Sequence, residues 1–137
     1  METTNNQNKT ILVVEDDTAL LEAVSLKCSQ AGYSVLTCSE GEKALEYAFK
    51  KHPDLIVLDV LMPKMDGITV LDKLRADTWG NEIPVIILSN LDPTDDILMK
   101  ISQDKPSFYL LKASTSLDTL LEKISDLLIT QTGVESE

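Results

Sequence analysis

Four short runs of purely apolar residues are spaced along this chain, and they are "ILVV" at 11–14, "LIVL" at 55–58, "VIIL" at 85–88 and "FYLL" at 108–111. Runs of this length without polar alternation are typical of parallel strands that are buried on both faces of a sheet. A fifth segment, "SVLTC" at 34–38, alternates more between polar and apolar positions. We therefore predict that it forms a strand near the edge of the same sheet.

Segments with the period of an amphipathic helix follow each of these runs. Their apolar stripes consist of Leu20, Val24, Cys28 and Ala31; Ala44, Leu45, Ala48 and Phe49; Ile68, Leu71 and Leu74; Ile97, Leu98 and Ile101; and Leu117, Leu120, Leu121, Ile124, Leu127 and Leu128. Asp17 is placed to cap the first helix and Gly32 to end it, while Ser39-x-x-Glu42 resembles a capping box for the second.

The regular alternation of strands and helices predicts an α/β fold of the (βα)5 type. Right-handed crossovers between parallel strands make it a doubly wound, flavodoxin-like five-stranded sheet with strand order 2-1-3-4-5. The chain has 137 residues, of which 43% are hydrophobic, which is enough for one domain with a core and not for two. We predict a single domain over 9–130, with flexible polar tails at 1–8 and 131–137, and no second catalytic or DNA-binding domain.

The negative net charge of the chain makes some classes of binding partner less favourable than others. A formal net charge of −11 argues against nucleic acid or an anionic membrane surface as a partner, because both are bound mainly through Lys and Arg. Metal cations or a basic protein surface fit better. No apolar stretch reaches the roughly 20 residues of a spanning helix, and the first residues lack a signal-peptide core, so we expect a cytoplasmic protein. In that compartment Cys28 and Cys38 should be free thiols.

Polar residues stand at the carboxyl ends of four of the predicted strands. Glu15 and Asp16 follow the first strand, Asp59 the third, Ser89 the fourth and Lys112 the fifth. In an open α/β sheet these ends line one edge, and ligands bind in the crevice where the strand order reverses, between strands 1 and 3. The three carboxylates should therefore converge, and such a like-charge cluster is costly without a cation. Hard oxygen ligands with room for water indicate Mg2+.

This combination of groups is suited to phosphate chemistry. Mg2+ and Lys112 would neutralise charge on phosphoryl oxygens, and the Ser89 hydroxyl could donate a hydrogen bond to one of them. Asp59 is the candidate nucleophile, and because it is already ionised it needs no general base.

With these residues in place, the sequence resembles the receiver domain of two-component response regulators, of the chemotaxis-regulator-like kind. The resemblance covers residues 9 to 130 and is carried by "ILVVEDD", "LIVLDVLMPKMDG", "VIILSN" and "YLLKA", in that order. It implies the phosphoacceptor Asp59, the acidic pair Glu15 and Asp16, a metal-ligating backbone carbonyl at Leu61, the switch hydroxyl Ser89, the switch aromatic Tyr109 and the phosphate-contacting lysine Lys112.

The resemblance also implies how such a protein would act. A sensor histidine kinase or a histidine phosphotransfer protein would supply the phosphoryl group, and a downstream protein would bind the surface formed by the fourth helix, fifth strand and fifth helix. The chain would not be an enzyme beyond its own phosphorylation and slow autodephosphorylation. We expect a monomer or a weak homodimer, with no nucleic acid and no membrane partner.

Other interpretations stay open from the sequence alone. The acidic residues after the first strand could serve only as helix caps. A haloacid-dehalogenase-like phosphatase also uses Asp and Mg2+, but it normally has a second Asp two positions after the nucleophile, where this chain has Leu61. A degenerate receiver that only binds proteins is harder to exclude, since Asn90 and Ala113 are atypical of the family. In the family a proline, often cis, commonly follows the lysine.

Overall fold

The protein is described by a computed structural model that covers residues 9–91 and 94–132. The tails predicted at 1–8 and beyond the last helix are therefore outside the described residues, except that this helix continues to Thr132, two residues past the predicted domain end at 130.

A five-stranded parallel sheet forms the centre of the molecule, and its order is β2-β1-β3-β4-β5. The strands are β1 (Thr10–Val14), β2 (Ser34–Cys38), β3 (Leu55–Leu58), β4 (Val85–Ser89) and β5 (Phe108–Leu111). Both the predicted order and the edge position of the alternating segment are confirmed. Every residue of β3 and β4 is buried, whereas no residue of β2 is fully buried, as expected for a strand with one neighbour.

Helices follow each strand within the described residues: α1 (Thr18–Gln30), α2 (Gly41–Lys51), α3 (Gly67–Arg75), α4 (Asp95–Asp104) and α5 (Leu117–Thr132). A short 3-10 helix, Lys112–Ser114, joins β5 to α5. The side chains of residues 95–98 and 130–132 are outside the described part of the chain. Of the three apolar residues predicted for α4, only Ile101 therefore has a described side chain, and it is buried.

The helices cover the sheet on both faces and bury two apolar layers. One layer lies between the sheet and helices α2, α3 and α4, and it includes Leu12, Val14, Ala48, Leu71 and Ile87. The other lies under α1 and α5. Successive β1 residues point alternately into the two layers, so a strand covered on both faces has no place for a polar side chain until it ends. Cys28 and Cys38 pack in different layers, and both are free thiols as predicted.

The ends of the helices confirm one predicted cap and contradict another. The Leu20 amide donates to Asp17 Oδ1 at 3.2 Å, and the chain leaves α1 through Gly32 at φ 101°, a left-handed conformation that glycine adopts without strain. The capping box at Ser39-x-x-Glu42 is wrong, because the N-cap of α2 is Glu40 and no side chain caps it. Gly41 starts the helix against the Met65 backbone, so tertiary packing sets this end of α2.

Within the described residues, no helix has the combination of length and apolar composition that a membrane crossing requires.

Candidate functional site

Adjacent strands bring two of the predicted carboxylates to the same edge of the sheet. The Asp59 amide donates to the Val14 carbonyl at 3.0 Å, which extends the β1–β3 pairing by one residue, and the Glu15 amide donates to the Cys38 carbonyl at 3.0 Å. Both residues thus stay in the hydrogen-bonded frame of the sheet after the apolar runs end. Both residues are almost fully buried, at 3% exposure for Glu15 and 2% for Asp59.

Asp16 completes an acidic cluster with these two residues. One carboxylate oxygen of each of Glu15, Asp16 and Asp59 lies within 4.8 Å of the others, and Asp16 is the exposed member. Three hard oxygen donors of like charge, open to water on one side, suit a small divalent cation such as Mg2+. The cluster that the strand order predicts is therefore present, and its donor set fits a metal.

Lys112 reaches the cluster from the end of β5. Its Nζ lies 2.9 Å and 3.0 Å from the two carboxylate oxygens of Glu15 and 3.4 Å from Asp59 Oδ2. Burial alone would lower the pKa of Lys112, but its hydrogen bond to Glu15 and the charges of Asp59 and Glu15 outweigh that effect and raise the pKa. The lysine is therefore a permanent cation beside the predicted nucleophile.

The environment of Asp59 disfavours its ionised form. Burial and then the charge of Glu15 raise the pKa of Asp59 to about 6, although Lys112 and the Leu61 amide favour the carboxylate. The Leu61 N–H donates to Asp59 Oδ1 at 3.3 Å. A cation in the cluster would offset the repulsion that keeps this pKa high.

The loop after Asp59 turns sharply and depends on one glycine. The Gly67 amide donates to the Val60 carbonyl at 2.9 Å, and a β-carbon at Gly67 would overlap the carbonyl oxygen of Asp59. The first residue of α3 must therefore be glycine for the loop to close against the strand end. Asp66 caps this helix by accepting the Thr69 amide at 2.8 Å. Leu61 lies in the loop and is 53% exposed. The contribution of its carbonyl to metal binding stays a prediction.

Ser89 and Tyr109 are connected through a residue between them in space, Leu91. Ser89 is fully buried, and its Oγ accepts the Leu91 amide at 3.1 Å. The Tyr109 hydroxyl donates to the Leu91 carbonyl at 2.6 Å, and its half-buried ring packs against the apolar layer under α2, α3 and α4. The sequence motifs do not predict this connection. It is made by backbone atoms, which leave no side-chain signal in a sequence.

The peptide bond after Lys112 is not cis, and the described chain contains no cis peptide. Lys112 begins the 3-10 helix, and Ala113 at its second position is exposed. The lysine thus reaches the carboxylates although the family's proline is absent.

Comparison with known proteins decides the family. The chain matches the response regulator receiver domain family over residues 11–125. It belongs to that family. The resemblance stated from the sequence motifs is therefore confirmed, as is the fold class.

Individual similar proteins match this chain over different fractions of their own length. It is 38% identical over 96 residues to the probable transcriptional regulatory protein TcrX of Mycobacterium tuberculosis, a match that covers 70% of this chain and 40% of TcrX. The receiver domain of the Francisella response regulator 1452 is 31% identical, with a TM-score of 0.80 over 92% of this chain and 100% of that one. A CheY-like receiver domain protein from Methanospirillum hungatei shares the fold, with a TM-score of 0.83 over 90% of this chain and 96% of that one at 24% identity.

Proposed function

We propose that this receiver domain accepts a phosphoryl group on Asp59 from the phosphohistidine of a sensor histidine kinase or a histidine phosphotransfer protein, with Mg2+ as the cofactor. The observation that carries the proposal is the cluster of Glu15, Asp16 and Asp59 with Lys112 at the carboxyl edge of the sheet. Three carboxylates, one of them exposed, and one lysine suit a doubly charged cation and an anionic group together, which a purely structural role would not require.

The reaction conserves atoms and charge with the groups present. A carboxylate oxygen of Asp59 would attack phosphorus, the P–N bond to the histidine ring would break, and the ring would keep the electron pair. A bound Mg2+ would neutralise charge on the phosphoryl oxygens and on the three carboxylates. Lys112, 3.4 Å from Asp59 Oδ2, is close enough to shift from Glu15 toward a phosphoryl oxygen. Ser89 would turn its hydroxyl from the Leu91 amide to donate to another.

The same movement of Ser89 would carry the signal away from the site. The Leu91 backbone makes two described hydrogen bonds, one from its amide to Ser89 Oγ and one from the Tyr109 hydroxyl to its carbonyl. The first of these is lost when the Ser89 hydroxyl turns away from the Leu91 amide. The Tyr109 ring, on β5, could then settle further into the space beside Ser89. We propose that this population shift alters the surface formed by α4, β5 and α5, where a downstream protein would bind.

The wider setting of the domain is also part of the proposal. Its matches span 36–50% of the length of the curated relatives, several of which are named as transcriptional regulators. We propose that the domain itself contacts protein partners, as a monomer or a weak homodimer in the cytoplasm, and not nucleic acid, because its formal net charge is −11. The alternative is a degenerate receiver that binds partners without phosphorylation.

Incubation with Mg2+ and a small-molecule phosphodonor tests the assignment. The intact protein should gain one phosphoryl group, measured by mass spectrometry, and the gain should need Mg2+ and disappear in Asp59→Asn. Asp118→Asn is a matched control, since this aspartate is 82% exposed and pairs with Lys27 on another face. Continuous release of phosphate without an adduct would indicate a phosphatase instead. Absence of any adduct in a folded, Mg2+-binding protein would favour the degenerate receiver.

A further inference from the structure

Asp104, the last residue of α4, is a buried acid outside the phosphorylation site. Asp104 is 9% exposed, and its Oδ2 is the one buried side-chain oxygen or nitrogen in the described part of the chain that has no hydrogen-bond partner. A buried carboxylate oxygen without a donor is costly. A neighbouring donor, or a proton on the carboxyl group itself, would avoid that cost.

The nearest cation, Arg75 at the end of α3, does not supply the missing donor. Its guanidinium donates to four main-chain carbonyls: those of Asp104 at 2.6 Å, Gly80 at 2.6 Å, Ile83 at 2.8 Å and Lys105 at 3.1 Å. Arg75 thus caps the C-terminal end of α4 through the backbone. It affects the Asp104 carboxyl group through its charge alone.

A second carboxyl group, that of Asp72 on α3, lines the same cleft as Asp104 and acts on its carboxyl group. Two carboxyl groups can form a hydrogen bond only when one of them carries a proton. Burial, and then the hydrogen bond and charge of Asp72, raise the pKa of Asp104, while Arg75 and Lys100 act in the opposite direction without cancelling the shift. Asp72 is exposed and Asp104 is buried, and burial disfavours the charged form, so Asp104 is the carboxyl group expected to keep the proton.

We infer that protonated Asp104 donates a hydrogen bond to the Asp72 carboxylate, and that this carboxyl pair holds the C-terminal end of α4 to α3 in a proton-dependent manner. Arg75 supplies the part of the attachment that does not depend on pH. The charged groups that face the pair are Arg75 from α3, Lys100 from α4 and Lys105 just after it, with Glu82 acting on Arg75.

Loss of the proton would weaken this attachment. Two carboxylates would then repel each other across the α3–α4 contact, and the buried oxygen would need a water molecule as its donor. A cleft of about 330 Å³ beside the pair, lined in part by Asn81 and Gln103, gives water a route to it. Because α4 belongs to the proposed output surface, a rise in pH would loosen one end of that surface whether or not Asp59 is phosphorylated.

The test uses the whole domain with Asp59→Asn in every sample, so that it does not depend on phosphorylation or on the other buried aspartate. Carboxyl-carbon NMR should show Asp104 titrating above the ordinary aspartate value of about 3.9. Asp72→Asn supplies an amide donor and removes the like charge, so the midpoint of Asp104 should fall toward that ordinary value. Glu22→Gln, which removes an exposed carboxyl group from α1, should leave the midpoint unchanged.

A second measurement follows the helix end itself. The Lys105 amide donates to the Ile101 carbonyl at 3.0 Å, so its hydrogen-exchange protection reports whether the last turn of α4 is closed. After correction for intrinsic exchange, this protection should fall several-fold as pH rises through the Asp104 midpoint, and Asp104→Asn, which keeps a donor at every pH, should abolish the fall. An Asp104 midpoint in the ordinary range, or one that Asp72→Asn does not lower, would overturn the inference.

Discussion

At the scale of single residues, the site depends on how burial changes ordinary side chains. Asp59 and Glu15 are almost fully buried beside each other, and Lys112 compensates only part of their charge. The protein without metal therefore holds Asp59 in an unfavourable ionised state above a pH of about 6. The same repulsion that lowers stability favours a cation in the cluster, so a stability cost and a binding function have one physical origin.

Asp59→Asn should stabilise the metal-free protein in a pH-dependent way. The folded-state pKa of Asp59 is raised to about 6, so the folded protein binds more protons than the unfolded chain between about pH 4 and 6, and its stability falls as pH rises through that window. Urea unfolding with a chelator present should show no difference between wild type and variant near pH 4. A gain of about 2–3 kcal/mol for the variant should be reached above pH 6.

A difference that was already present at pH 4, or that shrank as pH rose, would contradict this account of Asp59. Mg2+ supplies a second check, since its affinity for wild type should fall as pH drops through about 6.

Leu61 should lengthen the lifetime of the phosphorylated state. By family resemblance, the side chains two residues past Asp59 and two past Ser89 border the approach of the hydrolytic water, and here both are leucine. Leu61 is 53% exposed next to Asp59, whereas the Leu91 side chain packs against the apolar layer under α2, α3 and α4. The effect should therefore come mainly from Leu61, which cannot orient a water.

Leu61→Asn should increase the first-order rate of phosphate loss by about threefold to tenfold, or about 0.7–1.4 kcal/mol of barrier. Leu61→Met keeps an apolar side chain and is the control. The measurement is the decay of the phosphorylated mass after the donor is removed. Equal or slower decay in Leu61→Asn would show that apolar shielding does not set the lifetime.

At the scale of elements, Arg75 joins the end of α3, the loop that follows it and the end of α4. Its four hydrogen bonds attach α3 to the loop before β4 and to the end of α4, and all four acceptors are backbone carbonyls. Helix ends and loops leave carbonyl groups unsatisfied, and a planar guanidinium can reach several at once. Arg75 is thus the main polar contact at this end of the α3–α4 pair.

Arg75→Lys should lower the free energy of unfolding by about 2–4 kcal/mol, because a single ammonium group cannot span the four acceptors and would leave buried carbonyls unpaired. Chemical denaturation at neutral pH measures the loss. Lys73→Ala, on the exposed side of the same helix, should stay within about 0.5 kcal/mol of wild type. A near-neutral Arg75→Lys would mean that water satisfies these carbonyls without the guanidinium.

At the scale of the whole molecule, the two ends of the sheet carry different acidic groups. The carboxyl edge holds the metal-compatible cluster of Glu15, Asp16 and Asp59, and the opposite end holds the carboxyl pair of Asp72 and Asp104. Helix α4 runs between them, since it follows the loop of Ser89 and ends at Asp104. Two chemically different inputs could thus act on one helix of the proposed output surface.

The sequence by itself determined the fold and the membership of the acidic cluster. Short uninterrupted apolar runs that alternate with amphipathic helices are typical of a sheet covered on both faces, and residues at the ends of its parallel strands meet at one edge. Glu15, Asp16, Asp59 and Lys112 were therefore predictable as neighbours.

Only the tertiary structure decided the contacts that depend on backbone atoms and on packing. The Leu91 backbone connects Ser89 to Tyr109, and Gly41 against Met65 sets the start of α2 where the capping box was expected. Packing likewise decides which carbonyls surround Arg75 and that Asp72 lies beside Asp104. Every residue has the same backbone carbonyl, so the sequence does not show which carbonyls a side chain will contact. A single Asp on a helix carries no periodic signal either. These contacts are determined by how the helices pack on the sheet.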